Sequence, residues 1–342
     1  MIMMNVLGLC AALVPAPSLG TPTRVRPSGG AKMCEGNVAP NSRSAAVPAA
    51  GPPAGAGGGP PPRTPLEQAL DAAFDAGFAL LYAAEPDGML DSSKNLRVLW
   101  VRALLAAAGR LDDPVARELL PGASRWVVSP PLAKTVWAGV MPKLDWIRQR
   151  TEWIDETVDA FLAEHAAAAA GQGPQVVLLG AGYDTRALRY RDSAATFYEV
   201  DLPQVCDVKA RLARRYLSEA APAAPCASLA ADFNQACMKP PGVFAQLEAL
   251  GLQRSRPTLV VSEAVLFYCS PPAKRNLLAD AAGFIQGHPG SQLVLADNLA
   301  PFVRSVAAAD AAAFFAPMQL ELRGHDTLWG GAIQFVRAGA RP

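Results

Sequence analysis

Residues 175–201 read QVVLLGAGYDTRALRYRDSAATFYEVD, and their reading decides the fold. Val176-Val177-Leu178-Leu179 is an unbroken apolar run, of the kind that fits a strand buried on both faces. It ends in Gly180-Ala181-Gly182, where the chain must turn sharply and where a ligand can approach the backbone closely. Thr185 to Arg191 suits a short helix. Thr196 to Val200 then reads as a second strand, closed by Asp201. A strand, a glycine turn, a helix and a strand ending in an acid describe a nucleotide-binding half-fold. In that half-fold the acid about 20 residues past the glycines accepts hydrogen bonds from ribose hydroxyls.

The dinucleotide pattern GxGxxG is not met, because Thr185 stands where its third glycine belongs. Asp184 adds an anion close to where a pyrophosphate would sit at the helix N-terminus. A nicotinamide-dependent oxidoreductase is therefore disfavoured, and a nucleoside ligand without phosphates is favoured. S-adenosylmethionine, with adenosine, a sulfonium and an amino-acid end, answers that description.

Outward from this core, strands and helices continue to alternate. Pro203 to Ser218 suits a helix with proline in its first turn, Cys226 to Ala231 a strand, and Val243 to Leu250 a helix. Thr258 to Glu263 reads as another buried strand ending in an acid, Pro271 to Gln286 as a helix and Gln292 to Asp297 as a strand. This spacing implies a parallel, doubly wound α/β sheet. Met318 to Leu322 and Ala332 to Val336 have no long helix between them, so they are expected to pair antiparallel. The whole describes a class I methyltransferase, a Rossmann-like sheet closed by a C-terminal hairpin.

Upstream, helices are expected over Pro65 to Leu81, Ser93 to Ala108, Val115 to Leu120 with Asp112-Asp113-Pro114 as its start, and Leu144 to Ala169. Ser129-Pro130-Pro131 reads as a break. The helical block 65–144 serves either as a lid over the cofactor or as packing for the sheet edge, and residues 145–342 form the cofactor-binding domain. Residues 1–64 are rich in Pro, Gly, Ala and Ser, with five basic residues (Arg24, Arg26, Lys32, Arg43, Arg63) against Glu35. Basic, acid-poor and hydroxyl-containing, they look like an organelle transit peptide, plastid or mitochondrial, and otherwise like a disordered tail.

Of the 342 residues, 51% are hydrophobic, enough for a sizeable core, and the net charge is only +1. That balance gives no electrostatic reason to expect nucleic acid or an anionic membrane as partner. The six cysteines show no CxxC pair and there are three histidines, so neither a disulfide framework nor a metal site is expected. His325-Asp326 suggests a dyad, but neighbours on an extended segment point apart.

Four blocks in order, VVLLGAGYDTRALR, FYEVDLPQV, LAADF and VVSEAVLFY, resemble the leucine carboxyl methyltransferase family, over about Asp112 to Asp297. That family comprises S-adenosylmethionine-dependent O-methyltransferases. It includes the enzyme that methylates the C-terminal leucine of protein phosphatase 2A and many bacterial small-molecule enzymes. The segment Arg150-Thr151-Glu152-Trp153-Ile154-Asp155 is closer to the bacterial branch. The resemblance implies that Arg150 meets the carboxylate of S-adenosylmethionine, that Gly180 forms the turn against it, and that Asp201 takes the ribose. It further implies that Asp232 and Phe233, here in place of the family's Asp-Leu pair, flank the adenine, and that Glu263 faces the sulfonium region. No catalytic residue is assigned. The expected acceptor is a carboxyl or hydroxyl group of a small molecule, with a phosphatase C-terminus as the alternative and an inactive cofactor-binding protein as a further one.

Overall fold

The computed structural model describes Pro65 and residues 93–120, 122–135, 141–166, 173–216 and 226–341. The segment 1–64, expected to be a transit peptide, and, apart from Pro65, the helix expected at Pro65 to Leu81 lie outside the described residues. Five helices come first: α1 (Ser93–Ala107), α2 (Pro114–Leu119), α3 (Gly122–Val127), α4 (Pro130–Thr135) and α5 (Met141–Glu164). The sheet region then runs β1 (Gln175–Leu179), α6 (Arg186–Arg189), β2 (Thr196–Asp201), α7 (Pro203–Tyr216), β3 (Cys226–Ala230), α8 (Phe233–Ala236), α9 (Val243–Ala249) and β4 (Thr258–Glu263). It closes with α10 (Pro271–Ile285), β5 (Gln292–Asp297), α11 (Ala308–Phe315), β6 (Leu320–Leu328) and β7 (Ile333–Ala340).

The seven strands are ordered β3-β2-β1-β4-β5-β7-β6. The first five are mutually parallel, while β7 runs antiparallel between β5 and β6. This is the class I methyltransferase order. Strand periodicity explains the two layers of helices. Val177 and Leu179 face a core shared with α9, α10 and α11, through Leu247, Leu278 and Phe315. Val176 and Leu178 face the opposite core, with Ile154, Val158 and Phe161 of α5. Because β1, β4 and β5 have helices on both sides, nearly every residue in them is buried, which is why they read as continuous apolar runs.

Ser129-Pro130-Pro131 marks the expected break, between α3 and α4, and its prolines also start α4, since proline is well placed in a first helical turn. The hairpin strands are longer than the alternation suggests, because an irregularity between Leu322 and Gly324 interrupts the period. Leu99, Leu104 and Val115 of the helical block share one apolar cluster with Tyr183, Leu188 and Leu212 of the sheet region.

The chain reverses direction of travel across the sheet between β1 and β4, the position where open α/β sheets bind ligands beyond their carboxyl ends.

Candidate functional site

A cavity of about 780 Å³ opens there, walled by the loops after β1, β2, β3 and β4, by α1 and α5, and by the β6–β7 turn. Its floor is the glycine turn. Gly180 has φ +63° and Gly182 φ +45°, left-handed values that favour glycine. A Cβ on Gly180 would also lie 2.2 Å from Val265 Cγ2. Gly180→Ala is therefore expected to cost at least about 2 kcal/mol of stability, read as a lower urea midpoint. Adding Val265→Ala should recover the steric part and leave the backbone part. Full additivity of the two losses would show that the contact is not the cause.

Asp201 ties this turn to β2. Its Oδ2 accepts from the Gly182 amide at 2.6 Å and its Oδ1 from the Leu202 amide at 2.7 Å. Burial raises its carboxyl above the usual range, opposed by these two donors and by Lys209.

Beside the turn lies a buried charge cluster that the sequence does not announce. Glu263 accepts from Arg150 Nε and from Arg186 Nη1, both at 2.7 Å. Arg186 is fully buried and also donates to Asp155 at 2.6 Å, Asp184 at 2.5 Å and the Thr151 carbonyl at 3.2 Å. Arg189 closes on the two oxygens of Asp155, at 2.8 Å each. Arg150 stacks over Trp146 at 4.8 Å, and its Nη1 and Nη2 make no hydrogen bond among the described residues although the side chain lines the cavity.

Burial pushes the Glu263 carboxyl upward, but the guanidiniums of Arg186, Arg150 and Arg102 outweigh it and hold it down at about 2. Burial likewise pushes the Asp184 carboxyl upward, but Arg186, Arg102 and Lys209 overcome it, and the group ends well below the usual carboxylate range. A folded-state pKa below the unfolded one gives stability that is present above the ordinary glutamate range and is lost as pH falls. Glu263→Gln is thus expected to cost about 3–5 kcal/mol at neutral pH. The gap from the parent protein should narrow from about pH 5 down through about pH 2, first as the carboxyl of the unfolded parent takes up its proton and then as that of the folded parent does. Thermal unfolding of both proteins across that range checks it, and a gap indifferent to pH would count against the ionised cluster.

On the far side, Asp232 caps α8, its Oδ1 accepting from the Asn234 amide at 2.9 Å, while its Oδ2 accepts from Gln235 at 3.1 Å. Phe233, buried, follows it in the wall. Asn234 laces this loop to the next, donating to the Tyr268 carbonyl at 3.0 Å and accepting from the Ser270 amide at 2.7 Å. Cys269 also lines the cavity, and burial pushes its thiol up to about 12, so it stays neutral. The outer wall is aromatic. Trp146 and Trp329 meet at 5.1 Å, with Phe267 and Tyr268 exposed at the mouth. Trp329 (φ +53°) and Ala264 (φ +55°) both hold left-handed backbone that side-chain-bearing residues seldom adopt.

Arg150, Gly180, Asp201, Asp232, Phe233 and Glu263 thus all line one cavity. Four of them have structural partners as well: Asp232 is a helix cap, Asp201 accepts from two backbone amides, and Glu263 is bridged by Arg150 and by Arg186. Asp184, expected as an anion close to where a pyrophosphate would sit, is paired with Arg186 and lies 3.9 Å from Arg102. Glu199 pairs with Lys209 at 2.8 Å behind β2. His325 contacts Gln334 on β7 at 2.7 Å and Asp326 accepts from the Thr327 amide, so they form no dyad. Arg102 and Asp155 carry no local sequence signal, and that of Arg186 is only its place in Asp184-Thr185-Arg186 just past the glycine turn. Among the described residues no helix is long and apolar enough to cross a membrane, and no group of three or more His, Cys, Asp or Glu residues is set to hold a metal ion.

Comparison with known proteins adds the following. The profile of leucine carboxyl methyltransferases matches residues 95–282. Human tRNA wybutosine-synthesizing protein 4 is 30% identical over 233 residues, which make up 63% of this chain and 31% of that protein. A putative S-adenosyl-L-methionine-dependent methyltransferase of Mycobacterium avium is 31% identical over 205 residues, 56% of this chain and 62% of its own length. The chain therefore spans less than two thirds of either relative. Among solved structures, magnesium protoporphyrin IX methyltransferase from Synechocystis PCC 6803 with bound SAM aligns at a TM-score of 0.39 and 12% identity, over 58% of this chain and 83% of that one.

Proposed function

This chain belongs to the leucine carboxyl methyltransferase family, whose members use S-adenosylmethionine, and from that premise we propose that it methylates a carboxyl or hydroxyl oxygen of a small molecule. The observation that carries the reading is Arg150. Its guanidinium is fixed at Nε by Glu263 and underneath by Trp146, which leaves the two terminal nitrogens at the cavity wall as a fork of the shape a carboxylate takes. The donor set of the whole cavity fits S-adenosylmethionine: a cation for its carboxylate, a carboxylate for its ribose, and Asp232 with Phe233 for a polar-edged flat ring.

Bound there, the cofactor supplies a methyl group already activated by the sulfonium charge. What remains for the chain is to hold the acceptor in line and to exclude water. The aromatic wall of Trp146, Trp329 and Phe267 suits that task for an apolar or flat acceptor. No lysine or histidine is among the described residues of the cavity, Cys269 is held neutral, and Glu263 and Asp184 are held as weak bases. An acceptor that arrives already ionised needs no base, which favours a carboxylate over an alcohol. The human relative is named for tRNA wybutosine synthesis, but the near-neutral charge of this chain supplies no phosphate-directed field, which favours the small molecule.

Calorimetric titration with S-adenosylhomocysteine tests the cofactor half of this reading. Asp201→Ala is expected to weaken binding by about 10- to 100-fold, from loss of charge-assisted hydrogen bonds and of the tie that holds Gly182. Unchanged affinity would remove this site from consideration. The acceptor half is tested by incubating the full chain with methyl-labelled cofactor and a panel of carboxylic acids and phenols. A base-labile labelled product identifies a methyl ester; a base-stable one identifies an ether.

A further inference from the structure

Thr185 occupies the capping position of α6 yet makes no capping hydrogen bond. Its hydroxyl instead lies 2.9 Å from both oxygens of Asp113, which belongs to the start of α2, 72 residues earlier. Asp113 simultaneously caps α2 through the Ala116 amide at 3.0 Å and accepts from Arg102 Nε at 2.9 Å. Arg102, from α1, completes the triangle by donating to the Thr185 oxygen at 3.0 Å, with its other terminal nitrogen 3.9 Å from Asp184. All three side chains are buried: Arg102 is 3% exposed, Asp113 1% and Thr185 0%.

A carboxylate out of reach of water is retained only where donors surround it, and here the donors come from three separate pieces of chain. One of those pieces is the loop 180–185 that floors the cavity. Tyr183 and Leu188, on either side of Thr185, sink into the same apolar cluster as α1 and α2. The loop is thus fixed from its far side by the helical block, while Asp201 fixes it from the sheet side through Gly182.

Resting on the cofactor reading above, we infer that Asp113, Arg102 and Thr185 form a clasp that positions the cofactor turn, so that docking of the first two described helices and binding of the cofactor are thermodynamically linked. The helical block is then neither a loose lid nor passive packing: it sets the shape in which Gly180 and Gly182 present their backbone. None of the three needs to touch the reacting atoms; they are positioning residues. Linkage is reciprocal, so the bound cofactor also holds the helices in place.

The test uses the full chain and three variants, Thr185→Val, Thr185→Ser and Asp113→Asn, with the S-adenosylhomocysteine Kd and the Tm of the ligand-free protein measured for each. Valine keeps the shape and removes the hydroxyl; serine restores it. Thr185→Val is expected to weaken binding by about tenfold, Thr185→Ser to return it to within about twofold of the parent, and Asp113→Asn to fall between them. Amide exchange in residues 93–120 of the parent should slow when the ligand is added, and slow less in Thr185→Val. A lowered Tm with an unchanged Kd in both Thr185→Val and Asp113→Asn would show a merely structural contact and overturn the clasp. So would failure of serine to restore affinity. If the parent chain itself does not bind the ligand, the cofactor reading falls, and the clasp falls with it.

Discussion

Replacement of Arg186 by methionine is expected to lower the unfolding temperature by on the order of 10 °C. The side chain is fully buried and donates to Asp155, Asp184, Glu263 and the Thr151 carbonyl. Methionine fills much of the volume but leaves three buried carboxylates short of a cation. Breaking one partner out of such a set costs about 3–5 kcal/mol, which in a domain of this size moves Tm by about 2–4 °C per kcal/mol. Calorimetry checks the figure. A fall of no more than a degree or two would mean that water or rearrangement replaces the guanidinium, and the cluster would lose its place as the pillar under the site. Lysine at the same position is expected to rescue little, since one ammonium cannot reach three separate carboxylates.

The second large effect concerns affinity. Arg150→Gln should weaken S-adenosylmethionine binding by on the order of 100-fold, the loss that follows when a charged fork is removed from a buried carboxylate partner. The variant should fold, because Glu263 keeps Arg186. Methylthioadenosine separates causes: it has the adenosine and the sulfur but no carboxylate, so its affinity should be the same for the parent and for Arg150→Gln. A parallel loss for both ligands would mean that Arg150 acts on the shape of the cavity and not on a carboxylate. No loss for either would place the amino-acid end of the cofactor elsewhere.

The parts of this chain that sequence renders legible are those where one local rule decides. An apolar run followed by two glycines has few readings, and Gly180 and Asp201 follow from it because their roles are set within about 20 residues of each other. The parallel, doubly wound sheet and its antiparallel closing pair follow from the spacing of elements. Arg186 is the counter-example. In a four-residue helix flanked by Thr185 and two further arginines it reads as a solvated charge. It is buried because Asp155 and Glu263, 31 and 77 positions away, arrive at the same point, which no local pattern records. Glu263 differs for the same reason: its position at the end of β4 is visible, its two guanidinium partners are not. Asp112-Asp113-Pro114 is legible as a helix start, while the ties of Asp113 to Arg102 and Thr185 are not. Trp329 could not be placed at all, since its contact with Trp146 depends on where a hairpin turn comes to rest.

That separation along the chain has a consequence for how the protein is made. Translation delivers the N-terminus first, and domains begin to fold as they emerge. When α1 and α2 leave the ribosome, Arg102 and Asp113 can find one another, but Thr185 is still 72 residues behind Asp113. The apolar cluster around them also lacks Tyr183, Leu188 and Leu212. The first helices must therefore wait, sheltered or exposed, until β1, the glycine turn and α7 have been synthesised. A nascent chain stalled anywhere before that point carries an unfinished core, and its early helices are the surface a chaperone would meet.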